Sequence, residues 1–147
     1  MTERVTSVRL RQFARTLDRF QEALVLPDDP IVRDACIQSF EFAFEMSWKA
    51  IQSDAFAEGV SCASPRDCLR AVFRLGILDK DEPAWLHMVE DRNRTSRVYD
   101  EDVAVAIRGA LPGYALLFTA LLSKLQERAR QREAEESEVT REPEDRS

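Results

Sequence analysis

Three arginines, an asparagine, a serine and a tyrosine stand together between acidic groups in "DRNRTSRVYDED", residues 91–102. Arg92, Arg94 and Arg97 carry planar guanidinium forks, the side-chain type that grips phosphate or carboxylate oxygens in pairs. Asn93 and Ser96 add neutral hydrogen-bonding groups, and Tyr99 adds a phenol. Such a set suits an anion-binding or docking surface. Arginines that simply pair with carboxylates such as Glu41 or Glu45 would account for it as a helix junction. The acids of "DED" at 100–102 lie where no strand or Gly-Ser loop precedes them to hold a nucleoside triphosphate, so a helix cap is the simpler reading.

Other chemistry is sparse. His87, the one histidine, lies one turn before Asp91, and its position on the polar side of a helix predicts a solvated imidazole. No His, Cys, Asp or Glu residues recur at metal-ligand spacing, and the four glycines never cluster into a phosphate loop. The sequence therefore predicts no metal and no cofactor. Cys36, Cys62 and Cys68 include no C-x-x-C pair and are odd in number, a pattern that predicts reduced thiols.

The elements that must position the 91–102 segment are all helical. Leu10, Phe13, Leu17, Phe20 and Leu24 recur at three- and four-residue steps and predict a first helix over about 6–25. "LPDDP" breaks it, with Asp29 as the next cap and Pro30 at the first helical position. No breaker follows until Gly59. Along this second helix Ile37, Phe40, Phe44, Trp48 and Ile51 form one stripe while Val32, Ala35, Phe42 and Met46 occupy others, which predicts a central helix apolar on more than one side. "SPRD" at 64–67 starts a third helix with Ser64 as cap, and Gly76 ends it. A fourth begins near "DEPAW", burying Trp85, Leu86 and Val89. Asp100 caps a fifth that runs through Ile107, Leu111, Leu116 and Leu121 to Leu125, with a kink or short break near Pro112. The prediction is an all-α up-and-down bundle of about five helices over residues 1–126 and a charged, disordered tail over 127–147.

Composition narrows the functional classes. The net charge is −6, and residues 127–147 hold eight acidic against five basic side chains, so −3 belongs to the tail and −3 to the body. A mildly acidic body does not favour a broad nucleic-acid footprint. No apolar stretch approaches the ~20 residues of a membrane span and no leader pattern is evident, which predicts a cytoplasmic protein.

Three stretches, "RDACIQSFEFAFEMSWKAIQ" (33–52), "SPRDCLRAVFRLGIL" (64–78) and "WLHMVEDRNRTSRVYDED" (85–102), in this order and spacing resemble the nucleotidyltransferase substrate-binding protein family of the HEPN superfamily. The resemblance spans about residues 8–126. It implies a small helical bundle, usually a homodimer, encoded beside a minimal nucleotidyltransferase and complexed with it, such pairs often being toxin and antitoxin. Active HEPN members cleave RNA without metal through an R-x4-H-x-Y motif at the dimer cleft. Carried over by position, the motif falls on Arg92, on Arg97 where histidine belongs, and on Tyr99. A guanidinium cannot serve as general base near pH 7. His87, five residues from Arg92, sits about 140° around a helix from it and does not replace the missing base.

The resemblance thus implies a non-catalytic partner subunit that binds the nucleotidyltransferase and its substrate, with self-association through the fourth and fifth helices. Nucleotide or RNA would meet Arg92, Asn93, Arg94, Ser96 and Arg97 at the dimer cleft, and Tyr99 matches the tyrosine that partner enzymes nucleotidylate. The alternative is an RNase toxin with an altered motif.

Overall fold

The computed structural model describes residues 2–145, which fold into five α-helices and one 3-10 turn, with no strand among the described residues. Helix α1 spans Thr2–Leu24, α2 Pro30–Ala57, α3 Pro65–Arg74, α4 Glu82–Arg94 and α5 Glu101–Asp145; Thr95–Arg97 forms the 3-10 turn between the last two. Helices α1, α2 and α5 pack on one another and make the main core, while α3 lies on α2 and α4 bridges α3 and α5. The predicted all-α bundle is the observed architecture.

Local signals set most boundaries. Asp29 accepts from the Val32 backbone N–H at 2.8 Å and starts α2 at Pro30. Ser64 accepts from Asp67 N–H at 3.2 Å and starts α3. Gly59 and Gly76 take positive φ where α2 and α3 end, a conformation that costs glycine little. At three- and four-residue steps, Leu10, Phe13, Leu17 and Phe20 of α1 are all buried. They meet α5 at Phe118, whose ring packs edge-on against Phe13 at 5.8 Å and Trp85 at 5.9 Å.

Several expectations are corrected. Helix α2 is central, touching α1, α3 and α5, and its further apolar residues divide: Val32 and Met46 pack partly against the core, whereas Phe42 is 56% exposed and Ala35 faces solvent. Leu86 and Leu116 are likewise exposed, because α4 and α5 each turn only one side to the core. No break interrupts α5 at Pro112, which lies on its exposed side where the lost N–H costs a single intrahelical bond.

The bundle also extends past residue 126. Ala129 is buried, and Arg128 and Arg132 ion-pair with Asp54 of α2 at 2.9 and 3.1 Å. In place of a disordered tail from residue 127, helix continues to Asp145, with exposed side chains over 133–139. Its Glu, Arg, Ala and Gln residues favour helix even without an apolar stripe. Cys62 and Cys68 form a disulfide instead of remaining reduced, since the Ser64 turn folds the chain back and sets their Cα atoms 5.1 Å apart. Cys36 is the free thiol, buried, and burial pushes its pKa up.

Helix α5 is long and apolar enough to cross a membrane by length and composition alone, although a third of its most apolar window is buried inside the bundle. Its exposed residues Val105, Ala106, Gly109, Pro112, Leu116 and Ala120 fall on one side of the helix.

Candidate functional site

The predicted site residues occupy the end of α4, the 3-10 turn and the approach to α5, and the structure divides them. Arg92 turns toward α2: its Nη1 donates to Thr95 Oγ1 at 3.1 Å and lies 3.7 Å from Glu41 Oε2. Thr95, buried, donates back to the Arg92 carbonyl at 2.8 Å and locks the turn. The carboxylate pairing that the sequence allowed for these arginines holds for Arg92 and Glu41. Arg92 and Asn93 line a cleft of about 280 Å³ with Phe44, Glu45, Ser64 and Arg66.

Arg94 turns to another side of α4 and donates to Asp91 Oδ1 at 3.1 Å. Ser96, Arg97 and Tyr99 point outward; Tyr99 is 86% exposed, and neither Arg97 nor Tyr99 has a hydrogen bond or ion pair with the described residues. Arg92, the first residue of the motif, is therefore tied toward α2 while Arg97 and Tyr99 face solvent. The acids of "DED" act as read: Asp100 Oδ1 accepts from the N–H groups of Asp102 at 3.0 Å and Val103 at 3.4 Å, and Glu101 pairs with Arg33 at 3.7 Å.

Beneath Arg94 lies a network that the sequence does not announce. Tyr114 of α5, buried and stacked on Phe40, donates its hydroxyl proton to Asp91 Oδ2 at 2.5 Å. The same phenol oxygen is 2.6 Å from His87 Nδ1. With its proton committed to Asp91, the phenol oxygen can only accept from the imidazole. A neutral His87 is then protonated on Nδ1 and carries its lone pair on Nε2, at the opposite edge of the ring. Burial, followed by the Asp91 hydrogen bond and its charge, drives the Tyr114 pKa far above the usual phenol range and keeps the proton in place.

Asp91 is 2% exposed and accepts from both Tyr114 and Arg94, so its desolvation is offset. His87 is 59% exposed in its side chain and reaches the network from outside. The imidazole is exposed, as the sequence predicts, and its contact with Tyr114 also orients it. Two signals were available: the i, i+4 spacing of His87 and Asp91, and Tyr114 in register with Ile107, Leu111 and Phe118 on the buried side of α5. A buried phenol needs a partner. Among the described residues no His, Cys, Asp and Glu side chains group so as to hold a metal ion.

Comparison with known proteins agrees with this architecture. Residues 8–127 match the family described as nucleotidyltransferase substrate binding protein like. A Haemophilus influenzae protein described as a probable ribonuclease HepT is 31% identical over 97 residues, 63% of this chain and 66% of that protein, so the match falls just short of two thirds of that relative's length. A crystal structure from Thermus thermophilus superposes with TM-score 0.73 at 39% identity, covering 77% of this chain and 98% of that one. A Haemophilus influenzae structure, described as revealing the fold of a substrate binding domain of a nucleotidyltransferase, gives TM-score 0.57 at 23% identity over 84% and 98% of the two chains and shares the fold.

Proposed function

The chain belongs to the nucleotidyltransferase substrate-binding protein family, and from that membership we propose that it is the non-catalytic partner subunit of a minimal nucleotidyltransferase encoded beside it, in a pair of toxin–antitoxin type. One observation carries the reading to a surface. Arg97 and Tyr99 stand outward with no polar partner among the described residues, while Arg92 and Arg94 of the same segment are tied down. An arginine and a tyrosine held free on a locked turn are the residue types that anchor interfaces.

The subunit works as a homodimer through the uncovered side of α5, with Val105 and Leu116 at its centre. Dimerisation gives that apolar side a function in a water-soluble complex. Tyr99, accessible and two residues from the outward Arg97, which is able to hold a phosphate, is the acceptor should the partner transfer a nucleotidyl group to this subunit. Co-expression of the two chains with a tag on one, followed by mass measurement of the purified complex, tests the reading. A complex containing two copies of this chain supports it, and the tagged chain emerging alone contradicts it.

The His87 arrangement favours a second reading, an RNase with an altered motif. Nε2 of His87 presents an oriented lone pair and Arg94 shares Asp91 with it. A base and a cation are what 2′-hydroxyl attack on a phosphodiester uses. In that reading His87→Asn abolishes metal-free RNA cleavage and Arg97→Ala leaves it largely intact.

A further inference from the structure

At the end of the bundle away from the 91–102 segment, the first half of α1, the last two turns of α2 and the 58–64 connection enclose a pocket of about 430 Å³. Its walls are apolar, formed by Val5, Phe56 and the disulfide-bonded Cys62. Its polar wall is Arg9 with Gln52 and Ser53. Arg9 Nη1 donates to the Lys49 carbonyl at 3.0 Å, Gln52 Oε1 at 3.0 Å and Ser53 Oγ at 2.8 Å. Gln52 cannot turn away, because its Nε2 donates to the Cys62 carbonyl at 2.7 Å. The guanidinium is thereby fixed in place.

All three acceptors are neutral. No carboxylate of the described residues lies within ion-pair distance of Arg9, and the acids at this end, Asp54 and Glu58, are engaged by Arg128 and Arg132. A guanidinium carries five N–H donors, and only those on Nη1 are used here. Nε and Nη2 have no partner among the described residues and are not sealed from solvent. A half-buried cation held rigidly by neutral groups, with a free donor edge beside apolar walls, is complementary to one kind of ligand.

We propose that this pocket binds a small amphiphilic anion, a carboxylate or phosphate monoester on an apolar body. The anionic head takes the free Nε/Nη2 edge of Arg9 in a bidentate pair, and the apolar body lies against Val5 and Phe56. The volume falls in the usual range for small-molecule sites. The site is independent of the nucleotidyltransferase partnership and lies on different residues, so the fate of one does not decide the other.

Calorimetric titration of the full chain with octanoate, octyl phosphate and octanol tests the assignment, the two anions separating the carboxylate and phosphate cases. At least one anion binds, octanol binds about ten-fold more weakly or worse, and Arg9→Gln lowers the anion's affinity by about ten-fold or more, as loss of a charge-assisted hydrogen-bond pair requires. Val5→Asp, an exposed change at the rim, abolishes anion binding without relying on the Arg9 scaffold. Octanol binding as tightly as the anions, undiminished binding to the Arg9→Gln protein, or no heat at millimolar ligand each overturns the proposal. So does a Val5→Asp protein of lower oligomeric mass in light scattering with no octanoate binding to the parent, which would make the pocket a contact between copies.

Discussion

The two sides of the α4–α5 junction use similar side chains in opposite ways. On the inner side Asp91, Tyr114, Arg94 and His87 satisfy one another, and Arg92 is tied to Glu41 and Thr95. On the outer side Arg97 and Tyr99 have no polar partner among the described residues. The inner side uses its polarity to hold the turn, and the outer side leaves its polarity open to solvent. The same residue type, arginine, is structural at 92 and available at 97, and only the neighbours decide which.

The contrast predicts a descending series of effects. Asp91→Ala strands Arg94 and leaves the Tyr114 hydroxyl without its acceptor; loss of one member of a buried charged network costs about 3 kcal/mol, visible as a lowered urea midpoint. Reducing the Cys62–Cys68 disulfide, which closes a short loop at the far end, costs about 2 kcal/mol in the chain-entropy account, measured by denaturation with and without dithiothreitol.

Tyr114→Phe costs about 1–2 kcal/mol near neutral pH through the unsatisfied Asp91 oxygen. It also changes the alkaline limb. In the unfolded chain the phenol releases its proton near pH 10, whereas the folded chain holds it to higher pH. This contribution is therefore complete below about pH 10 and declines as pH rises further, and the Phe variant lacks that decline. Urea midpoints of both proteins between pH 8 and about 11 check the sign. Arg97→Ala and Tyr99→Phe are the smallest in stability, within about 0.5 kcal/mol, because neither removes a polar contact. A melting shift as large as that of Tyr114→Phe would break the comparison.

Much of this was legible in the chain. The α1 stripe from Leu10 to Phe20, the caps Asp29, Ser64 and Asp100, and the glycine stops at 59 and 76 are local signals, and local signals survive folding. The resemblance carried by three separated stretches pointed to the right family. Illegible were the features that depend on which helix faces which. Phe42 and Leu116 look like core residues and lie outside it, because a stripe tells that a side is apolar without telling what covers it. Asp54 with Arg128 and Arg132 joins residues more than 70 positions apart, so a charged stretch read as tail is partly a clamp. For the same reason the orientation of the exposed His87 was not legible: its partner, Tyr114, comes from another helix.

We propose the outer pair, Arg97 and Tyr99, as the docking surface for the nucleotidyltransferase. Titration of that enzyme against this chain and its Arg97→Glu, Tyr99→Ala double variant, with thermal melts of both proteins, tests it most directly. The expected result is affinity about ten-fold weaker or more at an unchanged melting temperature. Equal affinity for the two proteins would contradict it.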